Sequence, residues 1–256
     1  MTLLEAFLVV ATGFGAGVLS PTVGVASLLS FPVLVGLGLP PVVANVSNTL
    51  GLIPGGLGGV LGYRREVREA GPIARAIVIV CALGAVVGAA LLIGLPPGVF
   101  EAVVPWLILF TCLLVGIQPR VARWLRERHE TRHGVAMADR RHMSPATTVF
   151  ATATGVYGGY FGAGAGVMMV AVLGLGTDLE LRVINNLKTL SLMVGNIVAG
   201  LIFIVVADPR WDAVVLLAAG SLVGGYVGAR IGRTLPDAVF RWAVVAAGVV
   251  AAVLLF

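Results

Sequence analysis

The stretch VANVSNTL at residues 43–50 returns as VINNLKTL at residues 183–190. A second block repeats in the same way: GAVVGA at residues 84–89 returns as GGYVGA at residues 224–229. The two copies of each block lie 140 residues apart. A small apolar chain made of two similar halves is typical of repeat-built membrane transporters, in which the substrate site lies between the halves. The repeat therefore predicts both a fold class and the place where a site is expected.

The composition excludes a water-soluble globular protein. Hydrophobic residues make up 59% of the chain, charged residues 11%, and the mean hydropathy is +1.04. Apolar runs such as residues 73–95 and 190–207 approach the roughly 20 residues that cross a bilayer as a helix. Their apolarity is continuous, whereas barrel strands would alternate. We expect an all-α integral membrane protein in contact with lipid. The net charge of +5 lies mostly in loops, which favours membrane orientation over nucleic-acid binding.

A basic linker divides the chain. Residues 119–144 contain seven arginines and separate a first repeat at 1–118 from a second at 145–256, within one transmembrane domain of 1–256. The positive-inside rule predicts that this linker is cytoplasmic. Trp124 and Leu125 could form a short helix on the membrane surface, and a solvated connector is the alternative.

The loop charges are exchanged between the halves. Residues 64–75 contain four arginines, whereas the matching place in the second half has only Arg210 between two aspartates. The turn at residues 96–97 carries no cation, whereas its counterpart carries Arg230 and Arg233. If basic loops are cytoplasmic, the two halves insert in opposite directions and form inverted repeats.

Opposite insertion needs an odd number of crossings per half, yet each half holds four of the chain's roughly eight hydrophobic segments. The conflict disappears if the first segment of each half is a broken-helix hairpin that enters and returns. Residues 3–38 and 145–176 contain the necessary breakers, among them Gly13, Gly15, Gly17 and Ser20-Pro21 in the first half. Three transmembrane helices then follow in each half, and both termini lie outside. Eight simple spans with parallel halves are the alternative.

No catalytic or metal-binding constellation is visible in the sequence. The three histidines, His129, His133 and His142, all lie in the linker without a cluster of cysteines or carboxylates at ligand spacing. Cys81 and Cys112 lie inside apolar runs, as small packing residues do. We therefore expect no enzyme activity, no metal and no cofactor. Acids and histidines are missing from the interiors of the spans, which weakens the case for proton coupling.

Amides, hydroxyls, one lysine and the hairpin breaks are the candidate substrate-binding groups. They donate hydrogen bonds, supply a positive charge and expose half-helix N-termini, which together suit a small anion. Structural hydrogen bonding between helices, or snorkelling in the case of the lysine, is the alternative for each residue. The candidates are Asn45, Ser47, Asn48 and Thr49 in the first half, Asn185, Asn186, Lys188 and Thr189 in the second, and Ser20, Pro21, Thr22, Gly158, Gly159, Gly162 and Gly164 in the hairpins.

Other glycines and the hairpin aromatics have simpler interpretations. Small residues spaced by four along a membrane helix favour close helix contacts. We assign that role to Gly84, Gly88, Gly224 and Gly228. Aromatic packing is favoured over a gating role for Tyr157, Tyr160 and Phe161.

A family resemblance adds to this interpretation. The stretch GVYGGYFGAGAG at residues 155–166 resembles the first-hairpin motif of the TauE/SafE sulfite exporter family, also called TSUP. GLPP at residues 38–41, GYRR at 62–65 and GGYVGAR at 224–230 agree with it. The first hairpin departs from the pattern, because GVAS at residues 24–27 stands where the family usually has glycines.

The resemblance implies a multi-pass protein of the bacterial or archaeal inner membrane. It would export small sulfur-containing anions such as sulfite, sulfoacetate or related organosulfur compounds, by alternating access of a secondary transporter. Two alternatives remain open: an accessory membrane subunit without transport activity, and an uptake carrier or channel for another small anion. A homo-oligomer is compatible with each of them.

Overall fold

The computed structural model describes residues 1–62, 71–132, 143–231 and 237–255. Within these residues the fold is all-α and contains no strand. The helices are α1 (Leu3–Thr22), α2 (Ala26–Gly36), α3 (Pro41–Gly62), α4 (Gly71–Gly94), α5 (Pro97–Arg132), α6 (Pro145–Tyr160), α7 (Ala165–Gly176), α8 (Leu181–Val206), α9 (Trp211–Ile231) and α10 (Asp237–Leu255).

Several of these helices are long and apolar enough to cross a bilayer. In the described part of the chain, five meet that standard, and they lie in α1, α4, α5, α8 and α9. Large apolar side chains such as Leu83, Leu113 and Val205 are exposed on their outer faces. Such faces suit contact with lipid rather than with water. The prediction of an all-α integral membrane protein is confirmed.

Each half begins with a helical hairpin, and three helices follow it. The helices α1 and α2 form the first hairpin, and the shorter pair α6 and α7 forms the second. Local signals fix where they start: Thr2 and Glu5 form a reciprocal capping box on α1, and Ser144 caps α6 immediately before Pro145. The helix breaks at the start of each half agree with the prediction; that each pair of helices enters the bilayer and returns stays a prediction.

The break in the first hairpin lies later than some of the predicted breakers. Gly13, Gly15, Gly17 and Ser20-Pro21 all lie inside α1, which remains helical to Thr22. Gly13 and Gly17 instead allow close contact with α9: a Cβ on Gly17 would lie 2.4 Å from Ser221 O. The turn comes at Gly24, whose φ of +83° is a left-handed conformation that glycine adopts without a steric penalty.

The first helix of each hairpin packs on the other half of the protein. Helix α1 of the first half packs mainly on α9 of the second, and α6 of the second half packs mainly on α4 of the first. Both contacts bring backbone close to backbone. A Cβ on Gly88 would lie 2.1 Å from Val156 O, and one on Gly224 would lie 2.0 Å from Phe14 O. The assignment of these glycines to helix contacts is confirmed.

One pair of equivalent helices, α3 and α8, runs in opposite directions. Gly56 of α3 faces Met193 of α8, whereas Gly200, further along α8, faces Leu50 and Ile53, which come earlier in α3. The helices α3 and α8 are therefore antiparallel. An inverted repeat requires this direction and a parallel repeat would oppose it. The inverted insertion of the two halves in a bilayer stays a prediction.

The first part of the predicted linker continues α5. This helix runs without interruption from Pro97 to Arg132, so that Trp124 and Leu125 belong to it rather than to a separate surface helix. Several residues used in the sequence arguments lie outside the described residues: Arg64, Arg65, Arg68, His133, Arg140, Arg141, His142 and Arg233.

Candidate functional site

The first helix of each hairpin ends in the same backbone turn. At the end of α1, the N–H groups of residues 23 and 24 donate to Leu19 O at 3.0 and 2.8 Å. At the end of α6, the N–H groups of residues 161 and 162 donate to Tyr157 O at 2.9 and 3.1 Å. Gly162 has a φ of +82°, which matches the +83° of Gly24. The carbonyl of Thr22 is therefore the structural counterpart of that of Tyr160.

Lys188 closes the end of α1. This side chain of α8 is fully buried, and its Nζ donates to Pro21 O at 3.2 Å and to Thr22 O at 3.0 Å. The last turn of a helix carries a partial negative charge, which attracts a cation. Lys188 does not snorkel to the interface; it joins α8 of the second half to the hairpin of the first.

No other charged side chain is buried among the described residues. A buried ammonium is costly unless carbonyls or counter-charges surround it. The position of Lys188 therefore makes the junction of the two halves the most polar point of an apolar interior.

Asn45 occupies the matching place at the end of α6. Its side chain is 1% exposed, and its Nδ2 donates to Tyr160 O at 2.9 Å. Thr49, one turn later, donates to the carbonyl of Asn45 at 3.0 Å. The first half therefore closes the helix end of the second half with a neutral amide.

Asn48 stands at the repeat position of Lys188. Its side chain is fully buried beside Asn45, and its Oδ1 accepts a hydrogen bond from Ser30 Oγ of α2. Asn45 Oδ1 and Asn48 Nδ2 have no hydrogen-bond partner within the described part of the chain. Buried polar atoms in folded proteins are normally paired, so these two atoms call for an explanation.

The two hairpins touch at their tips. A Cβ on Gly24 would lie 3.1 Å from Lys188 Cδ and 3.2 Å from Gly166 Cα. A Cβ on Gly166 would in turn lie 2.9 Å from Gly24 O. Glycine at both positions therefore lets the first tip, the N-terminal turn of α7 and the lysine stem meet.

The other predicted polar residues of the second half lie along α8, and Ser20 lies in α1. Asn185 Nδ2 donates to Leu181 O at 3.0 Å, and Thr189 Oγ1 donates to Asn185 O at 3.2 Å, so both bond within α8. Asn186 is buried in the same helix. Ser20 is buried in α1 next to Pro21.

Two of the predicted residues face other partners. Ser47 accepts a hydrogen bond from the backbone N–H of Arg210 at 2.9 Å, in the connection between α8 and α9. Gly159 packs on α4, where a Cβ would lie 2.4 Å from Ala85 O. The structure thus brings neither of them to the junction of the hairpin tips.

A small cavity of about 20 Å³ lies between α4, the second hairpin and α8, with room for about one water molecule. Gly158 and Gly162, both predicted, line it together with Ser191 and Asn196. Gly164 lies apart from this cavity and packs on Thr111 of α5. Because glycines form one wall, backbone groups of the hairpin are accessible there.

A larger cavity of about 270 Å³ opens next to the part of α5 that leads to the basic linker. Thr22 and Asn185 line it, along with Gln118 and the exposed Arg123. Gln118 Nε2 also donates to Val23 O at 3.4 Å. This cavity therefore reaches the same helix end that Lys188 contacts.

Aromatic rings surround the tip of the second hairpin. Phe161 is 2% exposed and packs edge-on against Phe31 at 5.3 Å between ring centroids. Phe100 packs against Phe161 and Tyr160 at 6.1 and 5.6 Å. Tyr157 OH donates to Ala163 O at 2.6 Å. The aromatic-packing interpretation of these residues agrees with the geometry.

Sequence reasoning missed four polar residues that the structure places here: Ser30, Thr111, Gln118 and Asn196. Thr111 Oγ1 donates to Ala163 O at 2.9 Å and therefore helps to hold the second tip. Ser30, Thr111 and Asn196 each stand alone in an apolar run, so only the interruption of that run could have indicated them, whereas Gln118 lies where the basic linker begins. In the described residues, no group of three histidine, cysteine or acidic side chains could hold a metal ion.

Comparison with known proteins gives a consistent result. The model of the family described as sulfite exporter TauE/SafE matches residues 9–255. One relative, named probable membrane transporter protein ORF9, comes from Sinorhizobium sp. and is 28% identical over 89% of this chain and 82% of its own length. Another, named probable membrane transporter protein, comes from Haemophilus influenzae and is 25% identical over 87% of this chain and 85% of its own length. No solved structure gives a significant match.

Proposed function

Because the chain belongs to the sulfite exporter TauE/SafE family, we propose that this multi-pass membrane transporter is a secondary carrier that exports a small sulfur-containing anion. Sulfite, sulfoacetate and related organosulfur compounds are the proposed substrates. The prediction that the chain is not an enzyme agrees with the family and with the names of both relatives.

The observation that carries the proposal is the buried ammonium of Lys188. It lies where the first hairpin meets the second half, and it bonds to carbonyls of α1 rather than to a carboxylate in its two short contacts. Two backbone carbonyl oxygens, which carry no net charge, hold the ammonium at this junction. An anion that approaches this junction is therefore attracted to it.

The approach from the linker side leads to this residue. The cavity beside α5 places Arg123, Gln118 and Thr22 in one wall, and Thr22 O is itself a partner of Lys188. On the second hairpin, Phe161 and the rings around it close the packing at the tip. Movement of one half relative to the other would open that side and close the first, as alternating access requires.

The energetics favour exit of the anion if the linker is cytoplasmic. A membrane potential that is negative inside drives a monovalent anion outward with about 2.3 kcal/mol per 100 mV. A falling concentration of the anion adds to this driving force. Export from the cell through the inner membrane therefore requires no acidic proton relay inside the spans.

Counterflow in proteoliposomes tests this proposal. Liposomes with purified protein are loaded with unlabelled sulfite, and uptake of labelled sulfite is measured with thiosulfate, sulfoacetate and sulfate as competitors. We expect saturable exchange that at least one sulfur anion suppresses. Lys188→Ala should reduce the rate at least about tenfold, and Lys188→Arg should reduce it less, because it keeps the charge.

Arg210→Ala is the matched control, since Arg210 is an exposed cation whose side chain bonds to Asp212 at 2.9 Å near the start of α9. It should retain the wild-type rate. Folded wild-type protein that exchanges none of these anions would contradict the substrate class. Equal rates for wild type and both Lys188 variants would remove Lys188 from the pathway.

A further inference from the structure

We propose that the end of α6 binds a monovalent alkali cation between the side chains of Asn45 and Asn48 and the last carbonyls of the helix. The site lies in the second hairpin, across the junction from Lys188. It does not depend on which anion the protein carries.

The ends of α1 and α6 differ in how their negative partial charge is compensated. Each end carries roughly half a negative charge from the aligned peptide dipoles. At α1, the ammonium of Lys188 compensates for it through Thr22 O at 3.0 Å. At α6, the equivalent carbonyl of Tyr160 accepts only the neutral amide of Asn45 at 2.9 Å. One helix end therefore has a covalently attached cation, and its counterpart has none among its described contacts.

The hydrogen bond to Tyr160 O determines the orientation of the Asn45 amide. A carbonyl oxygen only accepts hydrogen bonds, so the group that faces Tyr160 O must be Nδ2. The amide cannot be flipped, and Oδ1 is left as a buried acceptor without a partner in the described part of the chain. A cation, or a donated proton, is what such an oxygen lacks.

Asn48, on the same face of α3, can supply a second oxygen. Asn48 lies three residues after Asn45, so both side chains project from one face of the helix. Ser30 has a single hydroxyl proton but two acceptors, Ala26 O at 3.2 Å and Asn48 Oδ1. When Ser30 donates to Ala26, the Asn48 amide can turn, donate to Ser30 Oγ and direct its own oxygen to the cation.

The type and charge of the ligands determine which class of ion fits the site. The proposed ligands are neutral amide and peptide oxygens, which hard cations prefer. Divalent ions in proteins are usually bound by carboxylates, and no aspartate or glutamate is buried among the described residues. Half-helix C-termini in discontinuous membrane helices are known to coordinate monovalent ions. The chemistry therefore fits an alkali cation.

Thermal unfolding of the full-length protein in detergent tests the site without any substrate. The Tm is measured while NaCl or KCl replaces choline chloride at constant ionic strength and constant chloride. We expect one alkali cation to raise the Tm by a few degrees in a saturable way, because a ligand that binds only the folded state stabilises it. Asn45→Leu should abolish the rise.

A lysine at position 48, the repeat position of Lys188, provides a second test. Asn48→Lys gives the end of α6 the attached ammonium that α1 has, and it should make the Tm independent of the alkali cation. If that variant does not fold, Asn45→Asp replaces it, and the added carboxylate should lower the half-saturating cation concentration at least about tenfold. Thr148→Val, on the outer part of α6, is the matched control and should keep the full response.

Two results would overturn the proposed site. One is a wild-type Tm that neither Na⁺ nor K⁺ changes relative to choline. The other is a cation response that Asn45→Leu retains in full. Because the measurement requires no transport, failure of sulfite exchange and failure of cation binding are separate outcomes.

Discussion

The ends of α1 and α6 have the same backbone turn, but a charged side chain contacts the first and a neutral one contacts the second. Both helices stop with two N–H groups bonded to one carbonyl and a glycine near φ +82°. The first end is then closed by a buried ammonium, and the second by a neutral amide. The repeat thus preserves a backbone framework, while the side chains that contact the two helix ends differ. A duplicated sequence motif therefore predicts geometry more safely than it predicts binding.

The shared framework should be the easiest part of this comparison to break. Gly88→Ala and Gly224→Ala each place a methyl group about 2 Å from a backbone oxygen of the facing hairpin helix, 2.1 Å from Val156 O and 2.0 Å from Phe14 O. Backbone cannot move aside as a side chain can, so we expect each to cost about 3 kcal/mol of stability, the upper end of the usual range for overpacking. The Tm in detergent and the yield of monodisperse protein measure the loss.

Gly94→Ala is the control, because nothing lies within 4 Å of a Cβ there. It should leave the Tm within the experimental error of wild type. If only one of the two packing variants is destabilised, the hairpins do not contribute equally to the fold.

The difference in charge can be sharpened by removing each closing group in turn. Lys188→Met should cost about 2–3 kcal/mol and Asn45→Leu about 1 kcal/mol, because hydrogen bonds to charged groups contribute more than neutral ones. Denaturant unfolding of both variants in the same detergent gives the two values. A smaller loss for Lys188→Met than for Asn45→Leu would show that desolvation of the ammonium outweighs its bonds to α1.

The smallest expected effect concerns an anchor that the structure gives to the second tip. Ala163 O accepts hydrogen bonds from both Thr111 Oγ1 and Tyr157 OH. Thr111→Val or Tyr157→Phe alone should cost about 1 kcal/mol or less, because the other hydroxyl still satisfies the carbonyl. The double variant should cost more than the sum of the two, and a double-mutant cycle on the unfolding free energy measures that excess.

The fold class, the hairpins and the glycine contacts could be predicted from the sequence because they depend on local signals. Long apolar runs, clustered breakers and small residues spaced by four each have a direct physical cause. The sequence does not distinguish a glycine that breaks a helix from one that allows close packing. Gly13 and Gly17 have the same composition signal as a break, yet they serve close packing inside α1.

The candidate site was only partly predictable because it depends on which faces meet. Asn45, Asn48 and Thr49 are spaced by three and four residues and share a face of α3, whereas Ser47 lies between them in sequence and bonds to the backbone of Arg210. Helical spacing could have separated Ser47 from the others. The contact of Ser30 with Asn48 could not have been predicted, because it joins two helices through one isolated serine.

The packing of α1 on a helix of the other half has a consequence for the biogenesis of the protein. Helix α1 emerges from the ribosome before the other described helices, and its main partner α9 begins only at Trp211. Its glycine stripe therefore stays without that partner until most of the chain has been synthesised and inserted. Assembly of this transporter must be a late event, and a nascent chain that stops before α9 presents an unfinished helix surface to the membrane insertion machinery.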